Sequence, residues 1–329
     1  MRKEPPFLSR LREACALVGA ALEVIPNAGN AGRIILPSGR VRYFQRLRWD
    51  LNTLGAAAIA LDKDATARLL RRFGYTVPTG RAFSHDGRLH AARDIGGAYA
   101  YARRLGLPVL VKPNDSSADQ HVFVVYTRAQ FHAAAREIFA ASKTLLVQRI
   151  ARGSDCSIVV LDGEVLMATE KTRPYVVGDG HSTIRRLISL DRRRRRQAGH
   201  PTELRAGDER VGRHLAHDHR TLETVPAVGQ RVELLPCGNL GVGGDVRVVT
   251  ELLHPTLRAL AIQAVDDLGL RLASVDLVLS RPSDALPKRC TVLEVNTAPG
   301  LDTHEREPGW SRRRVDRVRR IVLAMDRDR

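Results

Sequence analysis

TVLEVNTAPGLDTH, residues 291–304, is the stretch whose reading decides the fold. In an extended strand successive side chains point to opposite faces, so Leu293 and Val295 go one way and Glu294 and Asn296 the other. A buried glutamate is costly unless it is paired or bound to a metal ion. The strand therefore lines a polar site, or it lies at a sheet edge with its polar face in water. A second apolar run, ASVDLVLS at 273–280, carries Asp276 in the same setting. If the two strands are neighbours, Asp276, Glu294 and Asn296 offer three oxygen donors on one face. That suits Mg²⁺, which takes a few carboxylates and fills its remaining positions with water and substrate phosphates. Singly, each residue reads as edge-strand polarity; together, with NTAPG following, they read as a metal face.

Working outward, the lysines stand out, because only 6 of the 53 basic residues are lysine. Lys112 ends the strand-like PVLVKP, where it can hold a phosphate as a point charge. Lys63 opens the helical LDKDATARLLRRFGYTVP, which Asp62 can cap and which Gly74 and Pro78 follow. The positive end of that helix would itself attract an anion. Lys171 ends CSIVVLDGEVLMATEKT, two strands joined through an Asp-Gly turn. Each of these is, singly, equally a surface lysine. QRIARGSD, at 148–155, is a strand exit whose backbone can pair with an adenine edge, with Asp155 accepting from ribose hydroxyls.

The chain has 329 residues, 43% of them hydrophobic and 27% charged, which is a globular composition. Its net charge of +17 favours anionic partners. No basic stripe interleaved with aromatics appears, so nucleic acid is disfavoured. The run Arg192–Arg196 reads as a solvated loop or as an attractor for an acidic substrate. Cys15, Cys156, Cys237 and Cys290 are widely spaced and read as reduced thiols of a cytoplasmic protein. Phe7, Leu11, Cys15, Val18, Leu22 and Ile25 recur at helical spacing and predict one amphipathic helix, not a signal peptide. No apolar run is long enough to span a membrane. GRIILPSGRVRYF predicts two strands about a Pro-Ser-Gly turn. No P-loop, nucleophile elbow or H-E-x-x-H motif occurs. The order is mixed α+β with strands in two groups.

Several blocks occur in sequence: LDKDATARLLRRFGYTVP, GLPVLVKP, LLVQRIARGSD, YVVGDGHSTIRRLI, GNLGVGGDVRVVTELLHP, ASVDLVLS and TVLEVNTAPGLDTH. Together, over about residues 55–305, they resemble the ATP-grasp domain of cyanophycin synthetases. Glutathione synthetases, D-alanine–D-alanine ligases and ribosomal-protein glutamate ligases look like more distant relatives. The resemblance implies an α+β ATP-grasp fold, two lobes clamping ATP, preceded by a short N-terminal α/β segment at 1–55. The ATP-grasp domain would span 56–328, with a smaller nucleotide-clamping lobe at 80–147 and a larger metal-binding lobe at 148–328. It implies that Lys63 and Lys112 hold ATP phosphates, with Ser116 and Ser117 donating to them, that Gln148 and Ile150 meet the adenine, and that Asp155 meets the ribose. Asp276, Glu294 and Asn296 would hold two Mg²⁺ ions, with Mn²⁺ as an alternative. Lys171 and Arg173 would act at the reacting phosphate, and His181 and Asn239 on the substrate side.

Three departures from that family stand in the sequence. The loop after Lys112 reads NDSSADQHV, with no glycine where the family has a glycine-rich flap. Ser157 stands where an arginine is usual. The long N-terminal domain and the Mur-ligase-like half of cyanophycin synthetases find no counterpart, so a single-step ligase is expected rather than a polymerase. The expected function is an ATP-dependent carboxylate–amine ligase acting on an amino acid or peptide through an acylphosphate. The alternatives are a degenerate ATP-grasp protein that binds nucleotide or a partner, an ATP-grasp phosphotransferase, and a basic nucleic-acid or acidic-protein binder. A homo-oligomer is left open.

Overall fold

A computed structural model describes residues 5–28, 30–84, 95–115, 121–151, 153–198, 202–235, 243–279, 283, 290–301 and 310–327. Helix α1 (Pro6–Leu17) leads into an antiparallel sheet formed in chain order by β1 (Ala21–Val24), β2 (Ala31–Ile35), β3 (Val41–Gln45) and β4 (Arg48–Trp49). The hairpin about Pro37-Ser38-Gly39 is as expected. The single long helix is not: Gly19 takes φ 69°, a left-handed conformation that ends a helix. Leu22 therefore lies on β1, and Ile25 just past it, so that only Phe7, Leu11 and Cys15 of the apparent helical period are in the helix, with Val18 as its C-cap. Helices α2 (Leu54–Leu61) and α3 (Lys63–Arg72) are separated by Asp62, whose extended backbone breaks the first helix and whose side chain caps the second by accepting from Ala65 N–H at 2.9 Å.

A second antiparallel sheet is built from β5 (Gly80–Ser84), β6 (Val109–Pro113), β7 (Phe123–Val125) and β8 (Thr144–Arg149), in the order β5-β8-β6-β7. Helices α4 (Ile95–Leu105) and α5 (Arg128–Ala141) cover it, burying Ala98, Ala102, Phe131 and Ile138 against Phe83, Val109, Val111, Leu145 and Val147. The Thr127 hydroxyl caps α5 by accepting from Gln130 N–H.

Strands β9 (Ser154–Leu161) and β10 (Glu164–Lys171) form the expected hairpin, with Asp162 and Gly163 both at positive φ, as a tight two-residue turn demands. Next come β11 (Tyr175–Val177), α6 (Ile184–Gln197), α7 (Glu209–His217) and β12 (Arg231–Glu233). Paired β11 and β12 share a small core with both helices, including Val176, Ile184, Ile188, Val211 and Val232. The Arg192–Arg196 run is thus helical, not a loop. Its Thr183 cap and the inward face of Ile184, Leu187 and Ile188 outweigh charge repulsion.

The chain ends with β13 (Val246–Val248), α8 (Pro255–Asp267), β14 (Leu272–Leu279), β15 (Thr291–Asn296) and α9 (Trp310–Met325). The central antiparallel sheet runs β13-β10-β9-β14-β15. One face packs Ile158, Val160, Val275 and Leu277 on α8. Part of the other face, Val159, Leu161, Met167 and Leu272, joins α1, α9 and the N-terminal sheet in a single core. Among the described residues the strands therefore fall into four sheets, not two groups, and the N-terminal segment shares a core with α9. Among the described residues no helix is long and apolar enough to cross a membrane.

Candidate active site

The face of the central sheet that packs on α1 and α9 turns polar further along its strands. Strand register sets Thr169, Ser157, Asp276 and Glu294 side by side across β10, β9, β14 and β15. Lys171 and Asp155 are partners one step along, and Ser274 lies opposite Asn296. Directly paired residues share a face, so Asp276, Glu294 and Asn296 converge as their spacing required. Asn296 Nδ2 donates to Asp276 Oδ2 and to Glu294 Oε1, each at 3.2 Å. Ser157 Oγ donates to Asp276 Oδ1.

Cations surround the pair. Lys112 Nζ, at the end of β6, is 3.5 Å from Glu294 Oε2, and Lys171 Nζ is 4.0 Å from Asp276 Oδ2. Burial pushes the Glu294 carboxyl up, but Lys112, Lys63, the Asn296 amide and Lys171 outweigh it and hold the group below the usual carboxylate range. It is ionised at neutral pH.

Lys63 is brought here by a residue the sequence reading passed over. Asn114 is 2% exposed. Its carbonyl accepts from Lys63 N–H at 3.2 Å, its Oδ1 accepts from Asp64 N–H at 2.9 Å, and its Nδ2 donates to Asp62 Oδ1 at 2.7 Å. Asp62 takes the amides of Ala65 and Thr66. Every first-turn amide of α3 is thereby engaged, so the expected pull of that helix end on an anion is not available through its N–H groups. Lys63 contributes through its ammonium group.

A cleft of about 870 Å³ opens here between the β5–β8 sheet and the central sheet. Lys112, Gln148, Ile150, Asp155, Lys171, Arg173, Asp276 and Glu294 border it, with Leu110, Val122 and Leu293 as apolar wall. Gln148 is 6% exposed. Arg173 Nη1 lies 3.1 Å from Glu233 Oε2. His181 does not reach the cleft's lining: its side chain is 80% exposed, in a turn where Asp179 accepts from the His181 and Ser182 amides. The Ser182 and His181 hydrogen bonds hold the Asp179 carboxyl down at about 2. Ser116, Ser117 and Asn239 fall outside the described residues. Cys156, which borders the cleft, is no nucleophile, because burial pushes its thiol up to about 12. Asn114 was not singled out from the sequence; the signal that could have found it is an Asn two residues after the strand-end Lys112.

The donor chemistry fits a hard divalent ion. Two carboxylates offer oxygen; the Asn296 carboxamide turns its Nδ2 toward them and would offer its oxygen to an ion after a half-turn of the amide, and among the described residues no group of three His, Cys, Asp or Glu could hold a metal alone. An ion here must complete its shell with water and with oxygens of a bound anion, which the flanking lysines would also attract.

No family model matches the chain. Among curated proteins it is 30% identical over 253 residues to the cyanophycin synthetase of Trichormus variabilis, covering 75% of this chain and 27% of that protein. It is 29% identical over 254 residues to the glutathione biosynthesis bifunctional protein GshAB of Streptococcus mutans, covering 74% of this chain and 32% of the relative. The chain thus spans about a third or less of the length of these relatives. Among solved structures, a bifunctional glutathione synthetase from Pasteurella multocida superposes with TM-score 0.58 at 20% identity, over 96% of this chain and 43% of that one. D-alanine–D-alanine ligase from Bacillus anthracis gives 0.51 at 14% identity, over 83% and 71%. The class that fold and cleft define is the ATP-grasp fold. Within it, this chain is similar to the corresponding part of cyanophycin synthetases and of bifunctional glutathione biosynthesis proteins.

Proposed function

We propose that the chain is an ADP-forming ATP-grasp ligase that joins a carboxylate to an amine on an amino acid or peptide. The observation that carries this is the pairing of Asp276 with Glu294 beneath Lys112 and Lys171, bridged by Asn296, on the floor of one cleft. The similarity to cyanophycin synthetase and GshAB supports the same chemistry. In this reading residues 80–147 form the nucleotide-clamping lobe and 148–328 the larger one.

The adenine would lie against Gln148 and Ile150 at the exit of β8, the ribose beside Asp155, and the phosphates over Lys63 and Lys112. A substrate carboxylate oxygen attacks the γ-phosphorus, the bond to ADP breaks, and an acylphosphate results. The amine then attacks the acyl carbon and inorganic phosphate leaves with the carbon–oxygen bonding pair. Lys171 and Arg173 stand where negative charge accumulates during both displacements. Such transfers need positioning and charge stabilisation rather than covalent participation by the protein. Mg²⁺, bound through Asp276, Glu294 and Asn296, would neutralise phosphate oxygens.

The test is a melting curve with and without Mg-ATP. A ligand at about 100 times its dissociation constant stabilises by about 2.7 kcal/mol, and Glu294→Ala should abolish the shift. Incubation with ATP and pooled amino acids should then release phosphate and yield new amide masses. An unchanged melting curve at millimolar Mg-ATP would remove the ligase reading.

A further inference from the structure

Helix α6 is anchored on one side and bare on the other. Ile184, Leu187 and Ile188 face the core, and Arg195 turns inward, 2.6 Å from Asp191 and 2.9 Å from Asp245. Arg185 pairs with the exposed Glu223. Arg186, Arg192, Arg193 and Arg196 are exposed and form no ion pair among the described residues. At about 100° per residue, these four and Arg185 fall within an arc of roughly 120°, so they make a stripe rather than a ring.

Exposed arginines without an ion pair occur elsewhere among the described residues, as at Arg72 and Arg103, whereas on α6 four share one face. On α9, by contrast, Arg319 is paired with Asp316 and Arg320 with Glu164. Like charges three or four residues apart weaken a helix, and among the described residues only Arg185 of the stripe has a counter-charge, Glu223. The helix that carries the stripe is also tied to the cleft, through its opposite, buried face. Asp245, which holds Arg195, accepts from Thr172 N–H at 2.8 Å and donates its own N–H to Thr172 Oγ1 at 3.1 Å. Thr172 sits between Lys171 and Arg173, both of which line the cleft.

We infer that the α6 stripe docks an acidic polypeptide, a chain with several carboxylates, and so delivers its end to the ligation cleft. This names the substrate class of the site proposed above and rests on that reading. From Arg185 to Arg196 the helix rises about 16 Å, the length of about five extended residues. Guanidinium groups take carboxylates in paired hydrogen bonds. Single-stranded nucleic acid would also use stacking aromatics, and α6 has none.

The experiment measures binding of fluorescein-labelled deca-glutamate to the full chain by anisotropy, without nucleotide, at about 50 and 300 mM salt. The expected result is binding that weakens steeply with salt. A variant carrying R186Q, R192Q, R193Q and R196Q should bind about tenfold or more weakly and keep its Mg-ATP melting shift. Labelled deca-uridylate should bind less tightly than deca-glutamate. Equal deca-glutamate binding by the variant, or tighter binding of deca-uridylate, overturns the inference. Loss of the ligase reading would show separately, as a missing Mg-ATP shift in the unaltered chain.

Discussion

Two residues with no chemistry of their own hold the cleft's charged groups in place. Asn114 joins the strand that carries Lys112 to the helix that begins with Lys63. Asn114→Ala leaves the Asp64 amide without its acceptor and removes one of the two donors to Asp62 Oδ1, the Ala65 amide remaining. A buried polar group so stranded costs about 1–3 kcal/mol, so the melting temperature should fall by several degrees. The Mg-ATP concentration needed for half of the remaining shift should rise, because the two lysines would no longer be held in register. An unchanged half-point would mean that Asn114 serves stability alone. Ser157 acts on the other side of the site, its hydroxyl orienting the Asp276 carboxylate. With Asp276 as a metal ligand, as proposed, removing such an outer partner should weaken metal affinity about tenfold or more. Ser157→Ala should therefore reduce Mn²⁺ affinity, read by electron paramagnetic resonance with ATP present, with little change in melting temperature. Ser157→Thr, which keeps the hydroxyl, should restore it.

At the scale of elements, local chemistry was legible wherever a signal and its effect lie within one turn. The Asp62 and Thr127 caps and the Asp162-Gly163 turn are such cases, because the side chain or backbone that decides the geometry is within three residues of what it decides. Strand β1 escaped, since Leu22 and Ile25 extend a helical period by coincidence and Gly19 alone marks the break. The Arg192–Arg196 run was misread because charge patterning signals solvent but says nothing against a helix whose other face is buried. In the site, the strand alternation of Glu294 and Asn296 was visible locally, while their pairing with Asp276 depends on register between strands, which no local pattern encodes. The β8–β9 link makes a test at this scale. Gly153 there takes φ 147°, and a Cβ on it would lie 2.6 Å from the Leu279 carbonyl oxygen and 2.8 Å from Val278 Cγ1. Gly153→Ala must move β9 against β14, on which Asp155 and Asp276 ride. Expected are a lower melting temperature and weaker Mg-ATP binding together; full-strength nucleotide binding would show that the two strands do not share the site.

For the whole molecule, three thiols buried in two different cores make stability depend on alkaline pH. Burial pushes Cys15 up to about 11, Cys156 to about 12 and Cys290 to about 11, from an ordinary value of 9.0. Cys15 lies in the core that α1 and α9 share with the N-terminal sheet, and Cys156 and Cys290 lie in the core beneath α8. Below pH 9 folded and unfolded chains both keep these protons and the thiols confer no pH dependence. Above it the unfolded chain releases protons that the folded chain retains, so unfolding gains free energy as pH rises and stability falls until the folded values are reached. The 47 arginines do not mimic this loss, since they stay charged throughout. The urea midpoint should thus hold steady from about pH 7 to 8.5 and drop between 9 and 11. Replacing Cys15, Cys156 and Cys290 by alanine should lower the midpoint at neutral pH through the cavities left yet flatten the alkaline decline. A decline equally steep in that variant would assign it to other groups, of which Tyr75, hydrogen-bonded to Asp267 and raised mainly by burial, is the first to replace by phenylalanine.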